Sequence, residues 1–117
     1  MIKYEGKLFK SRAHLARYRF GVIAMRMYAV CDAKHLAVVY LLSLLDRPLS
    51  SLYDLEEDHP RREALACARL TGDDRHVFAL ALQLWDGEAV ELEGGPWNYS
   101  GYLPYMLEGI RVRYGYA

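Results

Sequence analysis

Apolar residues in this chain recur at helical spacing over most of its length, and residues that begin or end helices separate the runs. Ser11 and Asp32 are good N-caps in front of two of the runs. Gly72 and Gly87 follow two others and would end them, as glycine commonly does. These signals predict helices over about residues 12–27, 33–45, 61–70, 75–85 and 104–114, with a short helical piece at 50–57.

Two of these runs, Leu36–Leu45 and Val77–Trp85, are apolar on nearly every side. The second also alternates like a buried strand, but its alanines and leucines, its acidic start and its glycine stop favour a helix. Helices that are apolar all round lie in the middle of a bundle. The pattern therefore predicts an all-α fold, a single domain over residues 1–117, built as one compact bundle of about five helices with these two at the centre.

Composition points to an ordinary folded domain rather than a membrane or disordered protein. The 117 residues are 53% hydrophobic and carry a formal net charge of zero, with a pI near 6.9. A chain of this size buries roughly two-thirds of its unfolded surface and needs neither a metal nor disulfides to fold. Its longest nearly uncharged run is too short to span a bilayer, and its first residues lack the apolar region of a signal peptide. We therefore expect a cytoplasmic protein with no membrane contact.

Charge is distributed unevenly along the chain. Met1–Met27 holds seven Lys or Arg against one Glu, whereas Leu84–Glu108 holds five acids and no Lys or Arg. Arg12, Arg19 and Arg26 are seven residues apart and so form one basic ridge on a helix. The ridge could lie along a phosphate backbone, pair with the acidic stretch, or extend over apolar neighbours. Because the net charge is zero and no recognition motif is present, nucleic acid is the alternative partner rather than the favoured one.

Cys31 and His35 are the strongest candidates for site chemistry. Their spacing of four can place two metal ligands, or a nucleophile and its base, on one helical face. Further ligands would have to come from His76 or Cys67, and neither belongs to a paired motif. The pattern also supplies no residue to orient a base and no oxyanion hole. We therefore expect two reduced structural thiols, no metal site, no cofactor and no catalytic residues.

Acidic residues cluster just before Pro60, at Asp54, Glu56, Glu57 and Asp58. A divalent-cation site is conceivable there, but the cluster lacks the glycine and the closing glutamate of a calcium loop. Acids immediately in front of a helix are favoured by the helix dipole alone. We therefore interpret the cluster as the acidic approach to a helix that begins near Pro60.

The C-terminal stretch GPWNYSGYLPYMLEGIRVRYGYA is rich in tyrosine and contains Trp97. Its helix would bury one apolar stripe in the core, made of Leu103, Met106, Leu107, Ile110 and Tyr114. Tyr102, Tyr105, Gly109 and Val112 fall on a different side of the helix.

This second side is the predicted binding surface of the protein. Gly109 would let another backbone approach closely, and tyrosine and tryptophan supply stiff contact area. We predict that Tyr102, Tyr105, Gly109 and Val112, with Trp97, form a protein contact, most simply across the two-fold axis of a homodimer. The alternative is that the tyrosines pack against the Trp97 loop of the same chain.

Several stretches together resemble a small all-helical family of unknown function found in phages and integrated mobile elements of Gram-positive bacteria. They are LFKSRAHLARYRF, DAKHLAVVYLLSLL, TGDDRHVFALALQLWDG and GIRVRYG. The similarity extends from Leu8 to Gly115, except for the Gly87–Tyr99 loop. It implies a helical fold and a prophage or mobile-element setting, but no activity and no site residues. The sequence thus favours a non-enzymatic accessory protein that acts through self-association or a host protein, with nucleic-acid binding as the alternative.

Overall fold

The computed structural model describes residues 2–28, 32–66, 70, 72–87 and 101–115, with the backbone alone at 26–28. Within these residues lie five α-helices and four short strands. The helices are α1 (Arg12–Tyr28), α2 (Ala33–Leu42), α3 (Glu63–Ala66), α4 (Asp73–Asp86) and α5 (Leu103–Tyr114). The strands are β1 (Ile2–Tyr4), β2 (Lys7–Phe9), β3 (Tyr53–Asp54) and β4 (His59–Pro60).

Three of the four capping signals in the sequence, Ser11, Asp32 and Gly87, act as predicted. The Ser11 hydroxyl accepts a hydrogen bond from the His14 amide, and the Asp32 carboxylate accepts one from the His35 amide. Gly87 ends α4 in the left-handed conformation, at φ 78°. Gly72 instead stands at the N-cap of α4, with φ 55°. Because caps satisfy otherwise unpaired backbone groups, the polar residues before α1 and α2 fix where these helices begin.

Helix α2 forms the centre of the core and packs against α4, α5 and α1. Every side chain from Ala37 to Leu42 is fully buried, and Val77 to Leu82 of α4 are buried as well. The prediction that the two apolar runs form the centre of the core is confirmed within the part of the chain that the structure describes, although Gln83 is exposed. A helix with no polar face must be covered on all sides, which explains why α2 contacts three other helices.

The all-α prediction is wrong, because the structure contains two small antiparallel sheets. In the first, β1 pairs with β2 so that Ile2 opposes Phe9 and Tyr4 opposes Lys7. Glu5 and Gly6 form the two-residue turn with φ 49° and 77°. Two consecutive positive φ values match the right-handed twist of a tight hairpin. The pattern IKY–EG–KLF carries this signal, but its strands are too short to show clear alternation.

The second sheet replaces the helical piece predicted at residues 50–57. A 3₁₀ turn at Leu49–Ser51 leads into β3, and β3 pairs with β4 so that Tyr53 opposes Pro60. The Asp54 carboxylate accepts hydrogen bonds from the amides of Glu56 and Glu57. Such local side-chain bonds turn the backbone and compete with helix formation. The acidic cluster therefore belongs to a hairpin loop, and the next helix begins at Glu63 rather than near Pro60.

Two glycines let helices approach the core closely. A Cβ atom on Gly21 of α1 would lie 2.5 Å from Leu49 Cδ2 and 2.8 Å from Val39 Cγ1. A Cβ atom on Gly109 of α5 would lie 2.7 Å from Leu41 Cδ2 and 2.8 Å from Leu41 Cγ. Neither glycine has a positive φ, so close packing rather than backbone conformation is the reason for glycine at these positions.

Candidate functional site

Helix α5 presents to the core the side that the sequence assigned to an external contact. Tyr105 is only 6% exposed, and Gly109 is buried against Leu41. The ring of Tyr105 meets the ring of His14 edge-on, with centroids 6.2 Å apart. The expectation that Tyr105 lies away from the core is therefore wrong, and the close approach that Gly109 permits is made by Leu41 of the same chain.

The remaining residues of that predicted surface are half-buried or undescribed. The Lys10 ammonium lies 4.8 Å from the centre of the Tyr102 ring. Val112 lines a cavity of about 370 Å³ together with Leu36 of α2 and Arg111. Trp97 lies outside the residues that the structure describes. Whether Tyr102, Val112 or Trp97 contacts another protein stays a prediction.

The stripe predicted to be core points largely to solvent. Leu103, Leu107 and Tyr114 are 38%, 56% and 54% exposed, and Ile110 is half-buried. Met106 alone of the predicted stripe is fully buried. Helical periodicity identifies two apolar sides of α5 but does not say which one faces inward. In the structure, the side that carries Gly109 packs against the core. We call Leu103, Leu107, Ile110 and Tyr114 the outer stripe.

The outer stripe is continuous and carries no charge. Its members are spaced i, i+4, i+7 and i+11, so they lie within about 60° of one another over about 17 Å of helix. The arginines on either side are bonded within the chain. Arg111 pairs with Glu108 and donates to the carbonyl of Gly6, and Arg113 donates to the carbonyl of Leu84 at 3.0 Å. The surface therefore offers apolar contact area bordered by fixed cations.

The basic ridge lies on the exposed side of α1. Arg12 and Arg19 are exposed, and neither forms an ion pair with any residue that the structure describes. The guanidinium of Arg19 lies over the ring of Tyr4, 5.3 Å from its centre. The side chain of Arg26 falls outside the described part. Two of the three ridge residues are thus available to an external acid.

His35 is held between two carboxylates. Its Nδ1 lies 2.6 Å from Asp32 Oδ1, and its Nε2 lies 2.9 Å from Asp58 Oδ2. The other oxygen of Asp58 accepts a hydrogen bond from the Tyr53 hydroxyl at 2.7 Å. Burial opposes the charged ring, but the two carboxylates outweigh it, so the pKa of His35 is raised. The cluster links the start of α2 to the loop between β3 and β4.

This cluster is built to hold structure, since both ring nitrogens of His35 are already engaged. Each carboxylate contacts a different ring nitrogen, so neither nitrogen is left to bind a metal. Among the residues that the structure describes, no group of three or more His, Cys, Asp or Glu could hold a metal ion. Cys31 and Cys67 lie outside those residues, so the expectation of free thiols stays a prediction. The sequence identified Asp32 as a helix cap. It did not identify Asp58, which lies near His35 only because the hairpin of β3 and β4 brings it there.

His14 is a polar residue buried in the core, with only 1% of its surface exposed. The Lys10 amide donates to its Nδ1, so the ring proton is on Nε2, which donates to the carbonyl of Tyr40 at 2.9 Å. Phe9 and Tyr40 enclose the ring, each with its centroid 4.9 Å away. Burial lowers the pKa of His14 to about 4, so the ring is neutral at pH 7. A histidine in the first turn of a helix gave no sequence signal for this interior position.

Comparison with known proteins gives a family but no activity. The model of a family of unknown function, DUF6075, matches residues 4–117. No curated protein matches the chain, and no solved structure does. In the described part of the chain, no helix combines the length and the apolar character that crossing a membrane requires.

Proposed function

The chain belongs to the DUF6075 family, whose function is unknown, and we propose that it acts through protein contact rather than catalysis, with the outer stripe of α5 joining two copies. The observation that carries this proposal is the exposure of Leu103 and Leu107 on a helix whose other side is core. Large contiguous apolar patches are uncommon on the surfaces of monomers, and they mark interaction sites.

The lack of charge on the stripe favours a second copy as its occupant. At a two-fold axis each residue meets the same surface of its partner, so a charged stripe would repel itself. The residues of the outer stripe carry no charge, and of the two arginines beside it Arg111 is already paired with Glu108. A stripe about 17 Å long on one helix can form only a small contact. Specific interfaces bury roughly 1,200 Å² or more in total. We therefore expect a weak dimer that forms with rising concentration.

Sedimentation velocity over a concentration series tests this proposal. The wild-type chain should shift from monomer to dimer, and Leu107→Glu should stay monomeric with an unchanged helical circular-dichroism signal, because residue 107 is outside the core. Phe20→Glu is the matched control, since Phe20 is 59% exposed on α1. It should dimerise like the wild type. A wild-type chain that stays monomeric throughout, or dimerisation lost only in Phe20→Glu, contradicts the proposal.

The resemblance noted in the sequence adds the biological setting to this proposal. We place the protein in the cytoplasm of cells that carry a prophage or an integrated mobile element, as an accessory protein. The neighbouring genes of DUF6075 members are the observation that tests this setting. A location mainly among housekeeping genes would contradict it.

A further inference from the structure

The exposed side of α1 combines cations with large apolar groups. Arg12, Ala16, Arg19, Phe20 and Ile23 are all exposed, at spacings i, i+4, i+7, i+8 and i+11. They lie within about 100° of one another, so they form one surface, which we call the α1 face. Phe20 and Ile23 are 59% and 60% exposed, the highest values among large hydrophobic residues in the described part of the chain.

Depressions border the α1 face on both flanks. One, of about 230 Å³, lies on the Arg19 and Ile23 side and is lined by Tyr4, Glu5, Lys7, Tyr18, Val22 and Leu36 as well. The other, of about 400 Å³, lies beside Phe20 and Ala16 and reaches Pro48 and Leu49. Small-molecule sites usually measure about 300–1,000 Å³, so the smaller depression suits an inserted side chain better than a cofactor.

The charges of the α1 face decide what can cover it. Helix α1 contains no acidic residue, and Arg12 and Arg19 have no acidic partner among the residues described. Other arginines of the same molecule are paired, such as Arg17 with Asp46 and Arg61 with Asp54. A second copy of this face would bring arginines against arginines, which disfavours self-association. A partner that covers the α1 face must therefore supply acidic side chains.

The apolar half of the face selects between acidic partners. Contacts to a phosphate backbone come from cations and polar groups, and Phe20 and Ile23 would contribute nothing to them. A zero net charge also gives no long-range attraction to nucleic acid. An amphipathic helix lays apolar anchors into a groove at i, i+3 and i+4 spacing and can carry acids along its edges. We propose that the α1 face is a docking surface for an acidic amphipathic helix of a protein partner.

Fluorescence anisotropy with the full chain tests this proposal. The probe is a labelled synthetic peptide of about five helical turns, with Leu at helical i, i+3, i+4 spacing and Glu on both edges. Arg12→Glu combined with Arg19→Glu should weaken binding about tenfold or more. Phe20→Ala combined with Ile23→Ala should weaken it by a similar factor, since exposed anchors carry most of an interface. All four positions are exposed, so circular dichroism should be unchanged.

Controls separate the α1 face from the proposed dimer contact and from other partners. Leu107→Glu should bind the peptide as the wild type does, whatever its effect on dimerisation. A peptide of the same composition in scrambled order should bind at least about tenfold more weakly. Equal binding of the scrambled peptide, or no binding of the ordered one, overturns the proposal. It is equally overturned if duplex DNA or phosphatidylserine vesicles bind more tightly than the peptide and Phe20→Ala with Ile23→Ala has no effect.

Discussion

At the scale of single residues, two histidines in this protein have pKa values shifted in opposite directions. His14 is enclosed by aromatic rings and bonded to a backbone carbonyl, so its neutral form is favoured. His35 lies between Asp32 and Asp58, so its charged form is favoured despite burial. Each histidine therefore makes stability depend on pH, and the two dependences have opposite sign.

The pH dependence of His35 follows from its raised pKa. The folded state binds this proton more tightly than the unfolded chain, whose histidine pKa is about 6.5. The stabilisation is therefore complete below about pH 6.5 and is lost as pH rises through the folded-state pKa. We predict that His35→Gln destabilises the protein more at about pH 5.5 than at about pH 8, as measured by urea unfolding. A loss of stability that is independent of pH would contradict the charged bridge.

His14 should respond in the reverse direction. Its folded-state pKa of about 4 lies below the unfolded value, so the unfolded chain binds more protons between these limits. The wild type consequently loses stability through His14 as pH falls from about 6.5 towards 4. The loss caused by His14→Gln should therefore shrink at low pH, where that of His35→Gln grows. Parallel pH profiles for the two variants would show that one assignment is wrong.

At the scale of elements, the helix ends set by local caps were predictable from the sequence, but the orientation of helices was not. Ser11, Asp32 and Gly87 act locally, so their effect on helix ends can be read without knowing the fold. Which side of α5 faces α2 depends on whether Leu41 can sit against Gly109. That contact joins residues far apart in the chain, and helical periodicity does not contain it.

The contact between Gly109 and Leu41 gives a direct test of how α5 packs. Gly109→Ala gains about 1 kcal/mol in helix propensity. The added Cβ would lie 2.7 Å from fully buried Leu41, however, and overpacking typically costs about 1–3 kcal/mol. We predict net destabilisation in a denaturant melt. Leu107→Ala on the same helix is the control and should change stability by about 0.5 kcal/mol or less. Stabilisation by Gly109→Ala would rule out this packing.

Truncating a buried leucine of α4 should destabilise the core. Leu80 on α4 is buried, and its removal would leave a cavity in the core. Leu80→Ala should therefore reduce the free energy of unfolding by about 2–5 kcal/mol. A denaturant melt measures this, and a loss below about 1 kcal/mol would place Leu80 outside the well-packed core.

At the scale of the whole molecule, α2 and α4 form the core, and the helices α1 and α5 present outward surfaces of different chemistry. Helix α2 lies between its neighbours, and α1 and α5 each pack against it through one side. On the α1 face, Arg12 and Arg19 lie among apolar groups and have no acidic partner in the described part of the chain, whereas the outer stripe of α5 is uncharged. The first suits an acidic partner and the second suits a copy of itself. The basic ridge recognised in the sequence supplies Arg12 and Arg19 of the first surface, whereas the residues of the second were recognised as one stripe but assigned to the core.

The central claim is that two copies meet through the outer stripe, and isotope-filtered nuclear Overhauser spectroscopy on a mixed labelled and unlabelled sample tests it most directly. Because a two-fold contact brings the same surface of both copies together, the methyl groups of Leu103 and Leu107 should show cross-peaks to the outer stripe of the other copy. Intermolecular cross-peaks confined to Phe20 and Ile23, or none at concentrations where sedimentation detects a dimer, would contradict the claim.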